Sequence, residues 1–419
     1  MMLTTSTPER PPILAFAPHP WWNHWLSRQQ LLSRLGQRGW KVIYSFGPLN
    51  VWHRHTPQWR QASWLGWLEA RDHVQVDHPG RLPPLWPKFP AWDRQVIRHH
   101  AARMLNGLHQ KTPRPIAFLF HPTFEPWLPW LNPTHVVYHV FDAYRMMETW
   151  TPAKAAMEQR LIERADLITT SSRGMAETLP WGGDRRARIL NNGADSRRFL
   201  AADGCPCPDD LAAIPHPRIG YVGSINPKLD LEMVLTLSHQ RPDWQWVFIG
   251  PVYMNGLTTR DEQSRQQWQH CLQRSNIHWL DRKSLEEMPA YLNHLDVHAI
   301  CYLIARDQHG LKEDWVVHGY PTKLHECLAT GHPVVAAAQQ VIVDEFQHVV
   351  RVAENTVQWE QAIADALAGR GAGTVDQRRT VALANTWEAR VDQLEQWLLE
   401  MIEKKRGSHV HKNDWALPR

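Results

Sequence analysis

The sequence contains few cysteines and no long apolar run. Its five cysteines, among 419 residues, show no paired spacing typical of a zinc site, and a chain of this length seldom depends on a disulfide framework. No stretch approaches the roughly 18 apolar residues that cross a membrane, and the first residues lack the apolar core of a signal peptide. We therefore expect a cytoplasmic protein.

Neither sign of charge is present in large excess. The net charge of +4 comes from 46 basic and 42 acidic residues, and no basic stripe with interleaved aromatic residues appears. This balance argues against a nucleic-acid partner. Tryptophan, in contrast, is abundant at 23 residues, many of them among proline and histidine in the first half. Aromatic rings suit sugar faces and membrane interfaces, although most are expected to pack in cores.

Short apolar strands alternate with helices along most of the chain, which predicts an α/β fold with parallel sheets. The length allows two domains. We predict a disordered start at 1–12, a first domain at 13–199, a linker at 200–217, a second domain at 218–384, a last helix at 385–403 and a basic tail at 404–419. Residues 51–95 are rich in Trp, Pro, His and Arg, and they predict an irregular insertion with short strands. This insertion could form part of an acceptor cleft or a membrane-facing surface.

A polar and aromatic loop follows the first predicted strand, Ile13 to Ala17. Parallel sheets bind ligands outside the carboxyl ends of their strands, so this loop is a candidate ligand site. Its candidate residues are His19, Trp21, Trp22 and His24. Packing of the same side chains around the neighbouring prolines is an equally open alternative.

The segment 318–335 predicts a loop, a short helix, a turn and a strand. Pro321 suits a loop or a first helical turn, and Gly331 suits a helix end that needs a left-handed conformation. Lys323 and Glu326 are three residues apart, so both can face one side near the helix start. A cation beside helix N–H groups suits phosphate, and a carboxylate can accept two hydrogen bonds from a diol. A surface helix with an ordinary ion pair is the alternative, and spacing alone favours it.

The run Pro321-Thr-Lys-Leu-His-Glu-Cys-Leu-Ala-Thr-Gly-His-Pro-Val-Val335 resembles the donor-site motif of retaining GT-B glycosyltransferases of family 4. The resemblance implies two Rossmann-like, doubly wound domains facing a central cleft, with a last helix crossing back to the first domain. It also implies that Glu326 grips the ribose of a nucleotide-sugar and that basic residues hold its diphosphate. The donor-site residues implied are Gly223, Ser224, Lys228, Gly250, His318, Pro321, Thr322, Lys323, Leu324 and Glu326.

His139 and Asp142 lie just past the end of a predicted strand whose apolar core is Val136-Val-Tyr138. The family resemblance implies that His139 contacts the donor sugar near the reacting carbon and that Asp142 assists beside it, together with Lys323 and Glu326. The sequence departs from the motif at His318, where the family usually has another Glu. Glu313 or Asp314 could substitute for it, so the identity of the sugar stays open.

The resemblance implies transfer of a sugar from a nucleotide-diphosphate sugar to a glycan or lipid-linked acceptor. It further implies retention of configuration, no catalytic metal, no cofactor and a role in cell-surface polysaccharide biosynthesis. The loop after the first strand then becomes the acceptor site, and a peripheral contact with the inner membrane surface is a further hypothesis. Two alternatives remain, namely a nucleotide-sugar epimerase on the same architecture and an inactive GT-B protein that serves as a binding or scaffold partner.

Overall fold

The computed structural model describes residues 10–22, 25–108, 112–146, 149–180, 186–254, 259–304 and 315–413. The chain divides into two units, each built on its own sheet. The first comprises residues 1–171, 175–191 and 390–419, and the second comprises residues 172–174 and 192–389.

The first unit contains a mostly parallel sheet. Its strands are β1 (Ile13–Phe16), β2 (Val42–Ser45), β3 (Trp67–Arg71), β4 (Val74–His78), β5 (Ile116–Leu119), β6 (His135–Val140), β7 (Leu167–Thr170) and β8 (Ala187–Ile189). Among the described residues they form eight strands in the order β3-β4-β2-β1-β5-β6-β7-β8, and the β3–β4 pair is antiparallel. The order reverses at β1, which lies between β2 and β5. Ligands of open parallel sheets bind at such a reversal.

The central strands of this sheet are buried on both faces, as their continuous apolar sequences require. Helices cover the faces, and Leu31, Leu32, Leu161 and Ile162 are among the side chains they bury. The helices of the first unit are Ser27–Gln37, Pro57–Gln61, Pro90–Asn106, Leu128–Leu131 and Pro152–Arg164, with 3-10 turns at Val51–His53, Pro122–Trp127 and Tyr144–Met146. A further helix, Arg173–Glu177, has residues in both units.

The second unit contains an all-parallel sheet. Its strands are β9 (Arg218–Val222), β10 (Gln245–Ile249), β11 (Ile277–Trp279), β12 (Val297–Ile300), β13 (Val334–Ala337) and β14 (Arg351–Ala353). Within the described ranges the order of these six strands is β11-β10-β9-β12-β13-β14. The order reverses at β9, so the loop after β9 lies at the switch point of this sheet.

Short polar side chains cap several helices of the second unit. The Asp230 carboxylate accepts from the Met233 N–H at 2.9 Å, and Asn355 and Thr374 cap later helices in the same way. Each such cap satisfies a backbone donor that the helix leaves unpaired. The helices of this unit are Ser196–Leu200, Asp209–Ala212, Leu231–Gln240, Thr259–Leu272, Met288–Asn293, Leu324–Thr330, Thr356–Leu367 and Val375–Ala384, with a 3-10 turn at Trp315–His318 and a π-helical turn at Ile342–Phe346.

The last helix, Trp387–Asn413, begins in the second unit and belongs to the first from Arg390 onward. Within the first unit, Glu395 accepts from the Arg38 guanidinium at 3.0 Å and from the Trp40 indole at 2.8 Å. The helix extends beyond the predicted end at residue 403. No helix in the described part of the chain is both long enough and apolar enough to span a bilayer.

The segment 200–217 is not the linker that its Pro and Cys content predicted. It contains the helix Asp209–Ala212, and Leu211 and Ile214 are buried in the core of the second unit. The prediction was wrong because proline and cysteine density signals irregular backbone but not exposure. The insertion at 51–95 is more regular than expected, since β3 and β4 form a hairpin that extends the first sheet. The sequence patterns also missed the helices Thr259–Leu272 and Val375–Ala384.

Candidate functional site

Two glycines shape the switch point of the second sheet. Gly223 follows β9 with φ +133°, and Gly250 follows β10 with φ +147°, a region that side chains other than glycine rarely adopt. A β-carbon on Gly250 would lie 2.1 Å from the Gly223 carbonyl oxygen. The Gly223 N–H donates to the Ile249 carbonyl at 2.8 Å, which holds the two loops together. The approach of the backbones therefore requires glycine at position 250, and the φ angle favours glycine at both positions.

Lys323 enters this switch point from the start of the helix Leu324–Thr330. Its side chain is only 9% exposed, and its Nζ donates to the Tyr221 hydroxyl at 2.7 Å. The same Nζ lies 3.9 Å from the Tyr221 ring centroid and 5.2 Å from that of Tyr302. A β-carbon on Gly223 would lie 2.5 Å from this Nζ. The lysine is therefore held between two aromatic rings and a glycine loop.

Within the described residues, no carboxylate lies at ion-pair distance from the Lys323 ammonium, which contacts the Tyr221 hydroxyl and the rings of Tyr221 and Tyr302. Burial raises the pKa of Tyr221 well above its ordinary value, so this phenol stays neutral and brings no negative charge. A buried cation without an anionic partner is costly, and the arrangement favours an anionic ligand. The backbone of Lys228 lies in the same region, because the neighbouring Leu229 forms an antiparallel bridge with Tyr302. The Leu303 N–H also donates to the Lys228 carbonyl, at 2.7 Å.

Glu326 lies one helical turn beyond Lys323 and is half-buried. Burial raises the pKa of its carboxyl group to about 7, against an opposing effect of Lys323 and with a further rise from Asp195. The group therefore changes charge near neutral pH. Within the described residues it makes no hydrogen bond to another side chain, so its oxygens are available to a ligand.

The other predicted donor-site residues occupy the loops around this pair. The Ser224 carbonyl accepts from the Tyr221 hydroxyl at 3.1 Å, and the carbonyls of Val316 and Gly319 accept from the Gln339 side chain at 2.9 and 3.3 Å. The two hydrogen bonds from Gln339 hold the backbone on either side of His318. Pro321 and Leu324 are buried, while Thr322 is exposed and His318 is half-buried. Glu313 and Asp314 lie outside the described residues.

Sequence reasoning missed an aromatic residue beside Gly250. The Trp279 indole, at the end of β11, donates to the Gly250 carbonyl at 2.8 Å and is 40% exposed. Nearby, the Arg282 guanidinium donates to the Tyr253 hydroxyl at 2.7 Å. The motif could not reveal these contacts because they join three separate loops. Tyr221 and Tyr302 were missed for the same reason.

A cavity of about 840 Å³ opens in the first unit at the carboxyl ends of β1, β2 and β4. Its wall includes a stack of three rings, in which the His78 imidazole lies 4.7 Å from Trp22 and 4.2 Å from Trp67, both nearly parallel to it. His19 also lines the cavity, and burial lowers the pKa of its imidazole. The wall also contains the amide and hydroxyl side chains of Asn50, Gln58, Gln61 and Ser63, together with His53 and the charged Arg71. Flat rings with amide groups around them suit a sugar.

Two of the four residues predicted after β1 therefore reach this cavity, namely His19 and Trp22. Trp21 does not, because its ring is fully buried and its indole donates to the Asp72 carboxylate at 2.9 Å. Its edge packs against the Tyr44 ring at 4.9 Å. His24 lies outside the described residues.

The sequence pattern predicted that His139 lies beyond the end of its strand, and this prediction was wrong. His139 lies inside β6, paired in register with Thr169, and its Nδ1 is 2.8 Å from the Thr169 hydroxyl. The side chain is 1% exposed, and burial lowers its pKa to about 3. The prediction failed because the strand continues through Val140. Asp142 does follow the strand end, is half-buried, and accepts from the Ala143 N–H at 3.1 Å.

His121 occupies the position that was expected of His139. It lies two residues after the end of β5, next to the switch point, and its ring contacts that of Tyr144 at 4.6 Å. Its Nδ1 accepts from the Thr123 N–H at 3.3 Å. Burial, together with the charges of Lys154 and His19, lowers its pKa to about 4, so it is neutral near pH 7. The signal in the sequence was an apolar strand that ends at His-Pro.

The described residues contain no group of three or more His, Cys, Asp or Glu side chains placed to hold a metal ion. The predictions of metal independence and of no cofactor remain predictions.

Two Rossmann-like units with parallel sheets, each with polar groups at its switch point, define the GT-B class of fold. The chain superimposes on the Anabaena protein HepE in complex with UDP at a TM-score of 0.65, with 12% identity, over 93% of this chain and 100% of that one. For the sucrose-phosphate synthase of Thermosynechococcus elongatus the TM-score is 0.65, with 14% identity, over 94% of this chain and 100% of that one. For an α,α-trehalose-phosphate synthase (UDP-forming) of Burkholderia vietnamiensis it is 0.66, with 12% identity, over 95% and 99% of the two chains. The chain has the GT-B fold, as its motif predicted.

One relative is similar in sequence. The chain is 26% identical over 265 residues to the putative teichuronic acid biosynthesis glycosyltransferase TuaH of Bacillus subtilis (strain 168), which covers 61% of this chain. The chain spans about 60% of the length of that relative. No protein-family model matches the chain.

Proposed function

We propose that this protein is a glycosyltransferase that takes a sugar from a UDP-sugar and transfers it to a glycan or lipid-linked acceptor. The single observation that carries the proposal is Lys323, a buried cation that lacks an anionic partner at the switch point of a GT-B second unit. The proposal of uridine as the base is supported by the solved structures of similar fold, one of which holds UDP.

In the proposed reaction, the donor diphosphate binds at the glycine loops with its negative charge against Lys323. Breaking the glycosidic bond places further negative charge on this leaving group. A lysine fixed in advance by two aromatic rings stabilises that charge without reorganising, which is the main source of catalysis at such sites. Lys228 contributes a second positive charge. The site then needs no metal to neutralise the leaving group.

Glu326 is proposed to bind the ribose diol of the donor. A carboxylate accepts hydrogen bonds from both hydroxyls, and the protonated form accepts fewer. Because the pKa of Glu326 is about 7, donor affinity should rise as the pH increases through neutrality.

The acceptor sugar is proposed to bind in the cavity of the first unit, against Trp22 and near His19. We assign no substrate contact to Trp21 or to His139, since both side chains are buried and His139 already bonds to Thr169. A neutral His121 can accept or donate a hydrogen bond, so we include it with Asp142 as a substrate-contact candidate in this unit. Retention of configuration and a role in cell-surface polysaccharide biosynthesis are part of the proposal, and the name of the relative TuaH supports the latter.

The experiment that tests the proposal is a thermal-shift panel of UDP-, GDP-, ADP- and CMP-sugars on the wild type and on Glu326→Ala. A ligand at 100 times its dissociation constant adds about 2.7 kcal/mol to the free energy of unfolding. We expect UDP-sugars to stabilise the wild type and to lose most of this effect in the variant. Glu232→Ala, which removes an exposed carboxylate of the same unit, is the matched control.

Turnover separates the enzyme from its alternatives. Release of UDP that depends on an added acceptor supports the transferase, and conversion of the donor sugar without an acceptor would indicate an epimerase. Nucleotide binding without turnover would favour an inactive scaffold. If no nucleotide stabilises the wild type, the donor site proposed here is wrong.

A further inference from the structure

An exposed aromatic surface lies on the first unit, on segments 51–66 and 80–92. We call it the aromatic face and define it by the exposed side chains of Trp52, Trp64, Leu65, Leu82, Trp86 and Phe89. Trp64 is 66% exposed and Leu65 is 74% exposed. Exposed single apolar residues are ordinary, but a group of large ones on two paired segments marks an interaction site.

The backbone beneath the aromatic face is ordered by hydrogen bonds between the two segments. The Val51 N–H donates to the Leu85 carbonyl at 3.0 Å, and the Arg81 N–H donates to the Ser63 carbonyl at 2.9 Å. A helical turn at Val51–His53 and the helix Pro57–Gln61 lie within the first segment. The rings are thus presented on a folded support, and the proposal needs no ordering of the chain on binding.

Basic side chains accompany the rings. The Lys88 ammonium lies 5.3 Å from the Trp52 ring centroid, and the Arg81 guanidinium lies 5.4 Å from that of Trp64. The two segments contain four basic residues, the other two being Arg54 and Arg60, and no acidic residue. This differs from the chain as a whole, in which 46 basic residues are balanced by 42 acidic ones. One carboxylate adjoins the two segments, because Asp93 directly follows the second segment and accepts from the Trp86 N–H at 2.6 Å.

Indole rings and long basic side chains both prefer the interface between a bilayer and water, and this preference favours a membrane as the partner of the aromatic face. Both have an apolar body and a polar or charged end, and both concentrate at the level of lipid headgroups, with the body in the acyl region. The absence of acidic residues from the two segments adds attraction to an anionic leaflet. A partner protein of balanced surface charge would cover the rings but would give no reason for this one-sided charge.

We propose that the aromatic face docks this protein on the surface of a bilayer that contains anionic lipids. His53, Ala62 and Ser63 belong to the first of the two segments and also line the cavity of the first unit. A docked face would therefore place the membrane beside that cavity, where a lipid-linked acceptor could enter. This last step rests on the proposed function, whereas the docking itself does not.

The docking is tested by sedimentation of the full chain with vesicles of phosphatidylcholine alone and of phosphatidylcholine with phosphatidylglycerol. We expect binding to the mixed vesicles, and we expect the variant Trp52→Ser/Trp86→Ser/Phe89→Ser to bind them about tenfold or more weakly. Trp130→Ser is the matched control, because Trp130 is also exposed and carries Arg98 over its ring at 5.5 Å but lies outside both segments.

A second variant tests the charge. Arg81→Gln/Lys88→Gln should weaken binding to the mixed vesicles by about fivefold for each cation removed, and added salt should reduce the difference. Arg265→Gln/Arg370→Gln removes the same charge from the second unit and should bind like the wild type, since those residues pair with Glu262 and Asp365.

Three results would overturn the docking proposal. They are wild-type binding that does not depend on phosphatidylglycerol, a triple-serine variant that binds as tightly as the wild type, and a concentration-dependent dimer that disappears in the same variant. UDP-induced thermal stabilisation is measured on every variant. Its retention shows that the variant is folded, and its absence from the wild type would count against the donor site and not against the docking.

Discussion

The switch points of the two sheets are built in opposite ways. In the second unit, the backbones that follow β9 and β10 meet at two glycines, and one buried cation lies between two tyrosines. In the first unit, the corresponding edge opens into a wide cavity with stacked rings, and the neighbouring segments leave their aromatic side chains in solvent. The tight site suits a small ligand of fixed charge, and the open one suits a larger and more variable partner.

This comparison predicts that substitutions in the second unit will act on turnover and donor affinity, and that substitutions in the first will act on the acceptor. The largest effect is expected for Lys323→Met. Loss of one preorganised charge-stabilising group reduces kcat by about 10²- to 10³-fold. Steady-state kinetics with a UDP-sugar and its acceptor would measure it. Lys283→Met is the control, because the ammonium of this lysine, in the same unit, is already paired with the Asp210 carboxylate at 2.6 Å.

Gly223→Ala is expected to weaken UDP binding by about 10- to 100-fold, because the strained backbone and the displaced Lys323 Nζ together cost about 1–3 kcal/mol. Isothermal titration calorimetry would measure the affinity. Gly369→Ala separates the two causes, since Gly369 has φ +76° but open space around its β-carbon position. It should lose stability without losing affinity. Equal UDP affinity in both variants would show that Gly223 does not position the lysine.

Glu326→Gln is expected to weaken UDP binding about tenfold at pH 8, because a charged hydrogen-bond acceptor is lost. The pKa of Glu326 is raised from 4.5 to about 7, so its contribution to stability is complete below about pH 4.5 and is lost as the pH rises through about 7. We expect the free energy of unfolding of the variant to lack this fall between pH 4.5 and 7. At pH 8 it should exceed that of the wild type by about 1–3 kcal/mol. Denaturant unfolding from pH 4.5 to 8 would measure it, and a pH profile equal to that of the wild type would contradict the raised pKa of the Glu326 carboxyl group.

Trp22→Ala is expected to have the smallest effect, a rise of about fivefold in the KM for the acceptor with the donor KM unchanged. The variant removes one ring of the Trp22–His78–Trp67 stack, and aromatic contacts of this kind contribute about 1 kcal/mol. Initial rates at saturating donor would measure it. A change in donor affinity instead would contradict the proposal that the first unit binds the acceptor and the second unit binds the donor.

Much of the fold followed from the sequence because its signals are local. Apolar runs of four to six residues predicted most strands of both sheets within one or two residues. The end of the helix Leu324–Thr330 was predicted because Gly331 adopts the left-handed conformation there, at φ +84°. The helix Thr259–Leu272 escaped because it is strongly polar, so that periodicity of apolar residues hardly marks it.

The site was predictable only where one segment carries it. Lys323 and Glu326 stand in one motif, and the Lys323 side chain lies at the switch point, against Tyr221 and Gly223. Tyr221 and Trp279 come from strands far away in the chain, so no local pattern connects them with the motif. For His139, the predicted strand end was about two residues too early. The residue was therefore expected in a loop but lies inside the strand. Errors of this size leave a fold prediction intact but change the role of a residue entirely.

Trp279 gives the second unit an optical reporter of its own. Among the side chains described in that unit it is the exposed tryptophan, and its indole bonds to the backbone of Gly250. A nucleotide that settles on the glycine loops would screen this indole from water and shift its fluorescence to shorter wavelength, while Trp244, Trp246 and Trp268 are already buried and would change little. Ligand occupancy can therefore be followed by emission in the unlabelled protein, with Trp279→Phe as the silent reference.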